Sequence, residues 1–169
     1  MGTDPGPADR EREVDADADS GSDADIDGAV DPRVLEAIDR MELFQWLGLE
    51  VESVEPGKAT FRVPFDEKLA NVSSGTLHGG IAATVIDTAS AFALRSTMDH
   101  PTDASLTTTD LNVRYVRPAT SDITVTAEVV RSGRTVGVTE AEATARHEGE
   151  EKVVATGGTT YRLFRGGES

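Results

Sequence analysis

The residues best suited to chemistry lie in and around one apolar stretch, residues 79–94. Asp87 is the only charged residue in this stretch. A carboxylate in apolar surroundings is costly unless it is paired or hydrogen-bonded, and a carboxylate withdrawn from water is typical of a general base. Asp87 is therefore a candidate catalytic residue. The alternative is a structural aspartate that caps a loop or meets an arginine at an interface.

A second candidate group, His78, Gly79 and Gly80, stands where this stretch begins. A helix that starts here presents free N–H groups and a positive dipole, which suit a carbonyl oxygen that gains negative charge. Glycine lets a substrate approach the backbone closely. The alternatives are a tight turn that needs glycine and a purely structural His78. Because the chain has no cysteine and no histidines at metal-ligand spacing, no metal site is predicted.

The spacing of the two groups restricts how they can act together. Gly79 and Asp87 are eight residues apart, about 12 Å along a helix. A reacting carbonyl needs both the N–H donor and the base within about 3 Å. One helix cannot supply both, whereas two antiparallel helices from two subunits can. If both residues are catalytic, the sequence predicts an active site shared across a two-fold interface.

A cationic segment follows, in a chain of net charge −15. Residues 111–135 contain four arginines and two acidic residues. Guanidinium groups suit phosphates, and coenzyme A, with three phosphates and a thioester, would use both this segment and the glycine–aspartate group. The alternative is a solvated face on which the arginines pair with nearby acids. The arginines are Arg114, Arg117, Arg131 and Arg134.

The elements that must position these residues can be read from the same sequence. Asp31-Pro32 predicts the start of a helix over residues 32–47. Strands are predicted at 49–55, 58–65, 104–117, 122–131, 134–147 and 151–164. A helix without a polar face, such as the one predicted from Gly79 to Leu94, must be covered on most sides, and an antiparallel sheet that wraps around it does this. The predicted class is α+β.

The composition limits the domain organisation and the partners. The 169 residues suit one domain. Residues 1–31 hold 11 acidic and 2 basic residues and few large aliphatic ones, so we expect an acidic disordered tail before a folded domain at 32–165. The excess of acid argues against nucleic acid and favours a protein of a high-salt cytosol over an ordinary acidic protein. No apolar run is long enough to span a membrane, so a soluble, cytoplasmic protein is expected.

Three segments together resemble a known family. Residues 71–87, 110–119 and 130–135 are similar, in order and spacing, to the motifs of hotdog-fold acyl-coenzyme A thioesterases of the phenylacetate-degradation type. The resemblance runs from about residue 42 to residue 164. It implies a sheet wrapped around a central helix, and dimers or tetramers with active sites at the interface. It also implies no cofactor, because coenzyme A is part of the substrate.

The resemblance also implies roles for single residues. Asp87 activates water or attacks the thioester, the Gly79 N–H polarises the carbonyl, and His78 holds the loop. Thr108 stands where the family often has a hydroxyl near the attacking water. The family's loop asparagine falls at Val72, so its role passes to the preceding Asn71 or to Ser73 or Ser74. The predicted coenzyme A contacts are Gly80, Tyr115, Arg117, Arg131, Ser132, Gly133 and Arg134.

Two other functions stay open at this point. One is an enoyl-coenzyme A hydratase or dehydratase of the same fold, with His78 and Asp87 as an acid/base pair. The other is a module that binds acyl-coenzyme A without catalysis.

Overall fold

The computed structural model describes residues 1–2, 31–98 and 104–164. Three helices, one 3₁₀ turn and six strands follow one another in the predicted order. Their bounds are α1 (Pro32–Asp39), α2 (Glu42–Leu47), β1 (Glu50–Glu55), β2 (Lys58–Val63), the 3₁₀ turn (Glu67–Leu69), α3 (Gly79–Arg95), β3 (Ser105–Tyr115), β4 (Ile123–Ser132), β5 (Val136–His147) and β6 (Glu150–Phe164).

The six strands form one antiparallel sheet in the order β1-β2-β4-β5-β6-β3. Helix α3 packs against all six strands, so the predicted sheet around a central helix is confirmed. The buried face of α3 combines small and branched residues, including Ala82, Val85, Ile86 and Ala89, and it meets side chains such as Phe61 of β2. The small residues allow the helix to lie close to the sheet.

The opposite side of α3 is left partly open by the described chain. Ala83, Thr84, Asp87 and Ala91 are half-buried there, and Gly80 is exposed. These residues recur at spacings of three and four, so they form one stripe along the helix. The stripe contains Asp87 and Gly80, the residue that follows Gly79, and it is available for contact with another molecule.

The predicted single helix over residues 32–47 is wrong, because it is divided into α1 and α2. Arg40 ends α1, and Met41 adopts an extended conformation (φ −100°, ψ 108°) that starts α2. In one continuous helix Ile38 and Phe44 would lie about 120° apart around the axis, because each residue turns the helix by about 100°. The break allows both side chains to enter the same core. The predicted end at Gly48 is confirmed by its left-handed conformation (φ 65°).

Strand β3 lies at one edge of the sheet and, among the described strands, pairs only with β6. Most of its residues are exposed, among them the apolar Leu111. A bulge interrupts the register, since Thr108 lies opposite Tyr161 whereas Asp110 lies opposite Thr160. Thr109 is the extra residue, and side chains on either side of it change the face to which they point.

Some predictions fall on parts of the chain that the structure does not describe. Apart from Met1, Gly2 and Asp31, the acidic segment 1–31 lies outside the described residues. The tail's disorder and the domain boundaries therefore stay predictions. Within the described ranges, no helix is both long and apolar enough to cross a membrane, and no three His, Asp or Glu side chains are grouped as a metal site would need.

Candidate active site

The first turn of α3 is organised by His78, which is the N-cap of the helix. Its Nδ1 accepts a hydrogen bond from the Gly80 N–H at 3.0 Å, and its own N–H donates to the Leu69 carbonyl at 2.8 Å. Nδ1 therefore carries no proton in this arrangement. These two hydrogen bonds join the loop before α3 to the first turn of the helix, and a Cβ on Gly80 would come within 2.9 Å of this ring nitrogen. The role of His78 in the reaction stays a prediction.

Gly79 is pressed against the ring of Tyr115. The Tyr115 hydroxyl donates to the Gly79 carbonyl at 2.6 Å, and a Cβ built on Gly79 would be 2.9 Å from the ring carbon Cζ. Any side chain here would push the ring aside. The glycine is thus needed for a close approach within the chain, that of the Tyr115 ring to the backbone at Gly79. As the first residue of α3, Gly79 has an N–H without an intrahelical acceptor.

The Asp87 carboxylate is held by two hydroxyl groups. Its Oδ1 accepts from Thr108 Oγ1 at 3.0 Å and from the Tyr161 hydroxyl at 2.7 Å. Tyr161 is only 2% exposed, and burial, together with the neighbouring Asp87 carboxylate, raises the pKa of its hydroxyl well above its usual range. The cost of a carboxylate on an apolar helix is thus offset by hydrogen bonds rather than by an arginine.

Tyr161 was not among the residues that the sequence suggested. It lies on β6, 74 residues after Asp87, and only the register between β3 and β6 places it beside Thr108. No local sequence motif specifies the register between two strands. From the sequence alone, Tyr161 is therefore only an aromatic residue in a predicted strand.

Asn71 closes the loop that leads to α3. Its side-chain amide donates to the Thr76 carbonyl at 3.3 Å, and its backbone N–H donates to the same oxygen at 2.8 Å. The Ser74 hydroxyl bonds the Thr76 hydroxyl at 2.8 Å, and Val72 is fully exposed. Within one chain, Asn71 and Ser74 therefore stabilise the loop and do not contact Asp87.

A groove of about 380 Å³ opens beside Gly79. Its walls are mostly apolar, and Tyr115 and Arg117 stand among its lining residues, whereas Asp87 does not. The apolar lining residues are Leu77, Ala82, Val116, Pro118, Ala119, Ile123, Val154 and Ala155. One chain therefore does not bring Gly79 and Asp87 to a single point, in agreement with their helical spacing.

The predicted coenzyme A contacts are divided between the two ends of α3. Tyr115 and Gly80 lie at its N-terminal end, and Arg117, in the groove lining, donates to the Val153 carbonyl at 2.7 Å. The turn of residues 131–134 lies at the other end, where the Ser132 hydroxyl accepts from Thr97 at 3.0 Å. Helix α3 has 17 residues, about 25 Å in length, so these two groups are far apart in one chain.

Comparisons with known proteins agree with this architecture. The family model described as the thioesterase superfamily matches residues 74–152. A Halobacterium salinarum protein that bears the name of an esterase is 43% identical over 133 residues, which cover 76% of this chain and 88% of that protein. Human acyl-coenzyme A thioesterase 13 is 35% identical over 113 residues, which cover 66% of this chain and 76% of that enzyme.

Solved structures of other proteins have a similar fold. A thioesterase family protein from Silicibacter pomeroyi is 32% identical with a TM-score of 0.73, and the match covers 79% of this chain and 97% of that protein. The Escherichia coli PaaI protein of the phenylacetic acid degradation operon shares the fold, with a TM-score of 0.69 at 21% identity over 80% of this chain and 93% of that protein. The hotdog fold that the sequence motifs implied is confirmed.

Proposed function

Since this chain belongs to the thioesterase superfamily, its reaction is the hydrolysis of acyl-coenzyme A thioesters, and we propose that Asp87 and Gly79 from two different subunits carry it out together. The observation that carries the proposal is the arrangement along α3. A helix N-terminus with a groove beside it and a hydrogen-bonded carboxylate lie on the same helix, but about 12 Å apart.

The shape of the chain favours a dimer that would bring the two groups together. Strand β3 is an edge strand of 11 residues that exposes the apolar side chain of Leu111, and the exposed Val116 follows directly after the strand. An uncovered edge of this kind invites pairing with another strand. Pairing β3 with its copy across a two-fold axis makes the two copies of α3 antiparallel. Gly79 then approaches Asp87 of the partner subunit.

The same two-fold axis supports a joint site for coenzyme A. The C-terminal end of the partner's α3, with its turn of residues 131–134, comes to the side of the N-terminal end of this α3. The two predicted groups of contacts, which one chain holds at opposite ends of the helix, would thus lie at one site. The apolar groove beside Gly79 is proposed to take part of the acyl group.

In the proposed reaction the Gly79 N–H donates a hydrogen bond to the thioester carbonyl oxygen. The helix dipole stabilises the negative charge that this oxygen gains. Asp87 removes a proton from a water molecule whose oxygen attacks the carbonyl carbon. When the tetrahedral intermediate collapses, the C–S bond breaks and the coenzyme A thiolate leaves and takes up a proton. Direct attack by the carboxylate, followed by hydrolysis of the resulting anhydride, would use the same residues.

The proposal is tested with Asp87→Asn and a panel of acyl-coenzyme A substrates. We expect wild-type protein to release thiol, and Asp87→Asn to lower kcat at least about a hundredfold, the scale of a lost general base. Glu142→Gln is the matched control, because it makes the same change on the exposed face of β5 and should leave kcat unchanged.

Three results would contradict the proposal. One is nearly normal turnover by Asp87→Asn. The second is water addition to an enoyl-coenzyme A without thiol release, which would indicate a hydratase. The third is tight binding of acyl-coenzyme A without turnover, which would indicate a binding module.

A further inference from the structure

The environment of Asp87 is asymmetric about its two carboxylate oxygens. Oδ1 accepts hydrogen bonds from Thr108 and Tyr161. None of the hydrogen bonds within the described part of the chain reaches Oδ2. The Tyr161 hydroxyl also lies 2.6 Å from the main-chain carbonyl oxygen of Asp87, so it contacts both the side chain and the backbone of this one residue.

We propose that Tyr161 is a positioning residue, which fixes Oδ1 of Asp87 so that Oδ2 is the oxygen that acts on water or thioester. This inference rests on the proposed function, because it assigns a task within the same site. None of the comparisons names a role for this tyrosine. It is distinct from Thr108, for which the family resemblance already suggested a place near the attacking water.

The first step of the argument is the occupancy of Oδ1. A carboxylate oxygen has about two lone-pair directions. Two hydroxyl groups approach Oδ1, that of Thr108 and that of Tyr161, whose single proton is shared between Oδ1 and the main-chain carbonyl oxygen of Asp87. Oδ1 is therefore less open to a proton from water than Oδ2, which keeps its lone pairs, and Asp87 lies on the half-buried side of α3 where the partner subunit is proposed to pack.

The second step is the rigidity of Tyr161. Its ring is packed among Leu94, Met98, Ala104 and Leu163, and its hydroxyl is the polar group of the side chain, which needs a hydrogen-bond partner. A buried hydroxyl that loses its acceptor is costly, so Tyr161 and Asp87 hold each other in place. The raised pKa of Tyr161 is in agreement, because the hydroxyl then stays protonated and acts as a donor at any working pH.

The third step is the separation of this contact from the rest of the site. The groove and the helix N-terminus lie about 12 Å away from Asp87 along α3. Removing the Tyr161 hydroxyl should therefore disturb the orientation of the Asp87 carboxylate, on which turnover depends, and leave substrate binding in the groove nearly unchanged.

The test is the separate measurement of kcat and KM for Tyr161→Phe. We expect kcat to fall about tenfold, with KM changed less than about twofold, because the carboxylate loses its fixed orientation while the groove is unchanged. Thr126→Val is the matched control, since it also removes one half-buried hydroxyl from the sheet, where Thr126 contacts the hydroxyl of Thr60 on β2. Its kcat and KM should both equal those of the wild type.

A second pair of variants keeps the test independent of core packing. Thr108 is exposed, so Thr108→Val and Thr108→Ser should fold even if Tyr161→Phe does not. The valine should lower kcat with KM nearly unchanged, and the serine, which keeps the donor, should retain the wild-type kcat. An unchanged kcat in Tyr161→Phe, or in Thr108→Val where the tyrosine variant cannot be measured, overturns the inference.

Failure of this inference can be told from failure of the proposed function. If Asp87→Asn stays active, the proposed function is wrong regardless of Tyr161. If Asp87→Asn is inactive but Tyr161→Phe keeps the wild-type kcat, the function stands and the positioning role is wrong.

Discussion

Two inactive variants of this chain should restore activity to each other if Gly79 and Asp87 act at a shared site. Asp87→Asn removes the carboxylate but keeps an oxygen that can accept from Thr108 and Tyr161. Gly79→Val blocks the other half, because its side chain would enter space within 2.9 Å of the Tyr115 ring and displace that ring across the helix N-terminus. Each homodimer then lacks one half of both of its sites.

The expected recovery follows from the symmetry. In a heterodimer, one site combines the intact Gly79 of one chain with the intact Asp87 of the other, and the second site carries both changes. Equal mixing gives about half heterodimers, each with one working site of two. Activity should therefore approach about a quarter of the wild-type value, by the counting that a closed two-fold interface imposes.

The assay follows thiol release from an acyl-coenzyme A while the two variants exchange subunits. Mass-tagged chains report the exchange independently, and melting curves show that each variant is folded. Mixing Asp87→Asn with Asp87→Ala is the control, because both lack the same half and should not recover. If exchange is complete and activity stays at the level of the parents, the two residues do not meet across an interface and the shared site is refuted.

Three further predictions concern stability and specificity. The backbone N–H of Phe65 and the Arg62 guanidinium hold the pKa of Asp122 below its usual range, so its stabilising effect is present above the ordinary Asp range and is lost as pH falls through the lowered value. Asp122→Asn should thus lower the free energy of unfolding by urea at pH 7, with a gap to wild type that closes in acid; a gap independent of pH would contradict this. The melting temperature should rise from low to molar KCl, because screening relieves repulsion in a chain of net charge −15. The double variant Glu140→Gln/Glu142→Gln should reduce that rise, because both carboxylates lie on the exposed face of β5 and Glu140 lies directly opposite Glu128. An equal rise in the double variant would show that these carboxylates are not responsible. Ala119→Phe, in the groove wall, should lower kcat/KM for long or aromatic acyl groups at least about tenfold while acetyl-coenzyme A changes little, as a panel of substrates would show; equal losses for all substrates would mean that the groove does not hold the acyl group.

Much of the fold could be predicted from local patterns. The pairing of Asp31 and Pro32 gave the start of α1, and Gly48 gave the end of α2. The six strands follow from Thr- and Val-rich runs separated by turns. The break at Met41 could not be predicted in this way, because it depends on where Ile38 and Phe44 meet a shared core. That requirement is tertiary, and nothing in the helix propensities of residues 32–47 reveals it.

Some residues of the candidate site could likewise be predicted from local patterns, and one could not. Asp87 could be identified because it is the single charge in an apolar helix, and Gly79 because it begins that helix. Helical geometry alone predicted that Gly79 and Asp87 lie about 12 Å apart in one chain. Tyr161 could not be found, since its contact with Asp87 depends on the register of β3 and β6, which a single sequence does not specify.

The bulge at Thr109 shows why register matters for this site. Thr108 reaches Asp87 and Tyr115 reaches Gly79, so both side chains point from β3 toward α3. They are seven residues apart, and in a regular strand an odd separation places two side chains on opposite faces. The extra residue at Thr109 shifts the alternation by one and returns both to the helix side. One edge strand thereby contacts both halves of the proposed site, the carboxylate and the helix N-terminus. Because the same strand is the proposed dimer edge, pairing it with a second copy would fix both halves at once.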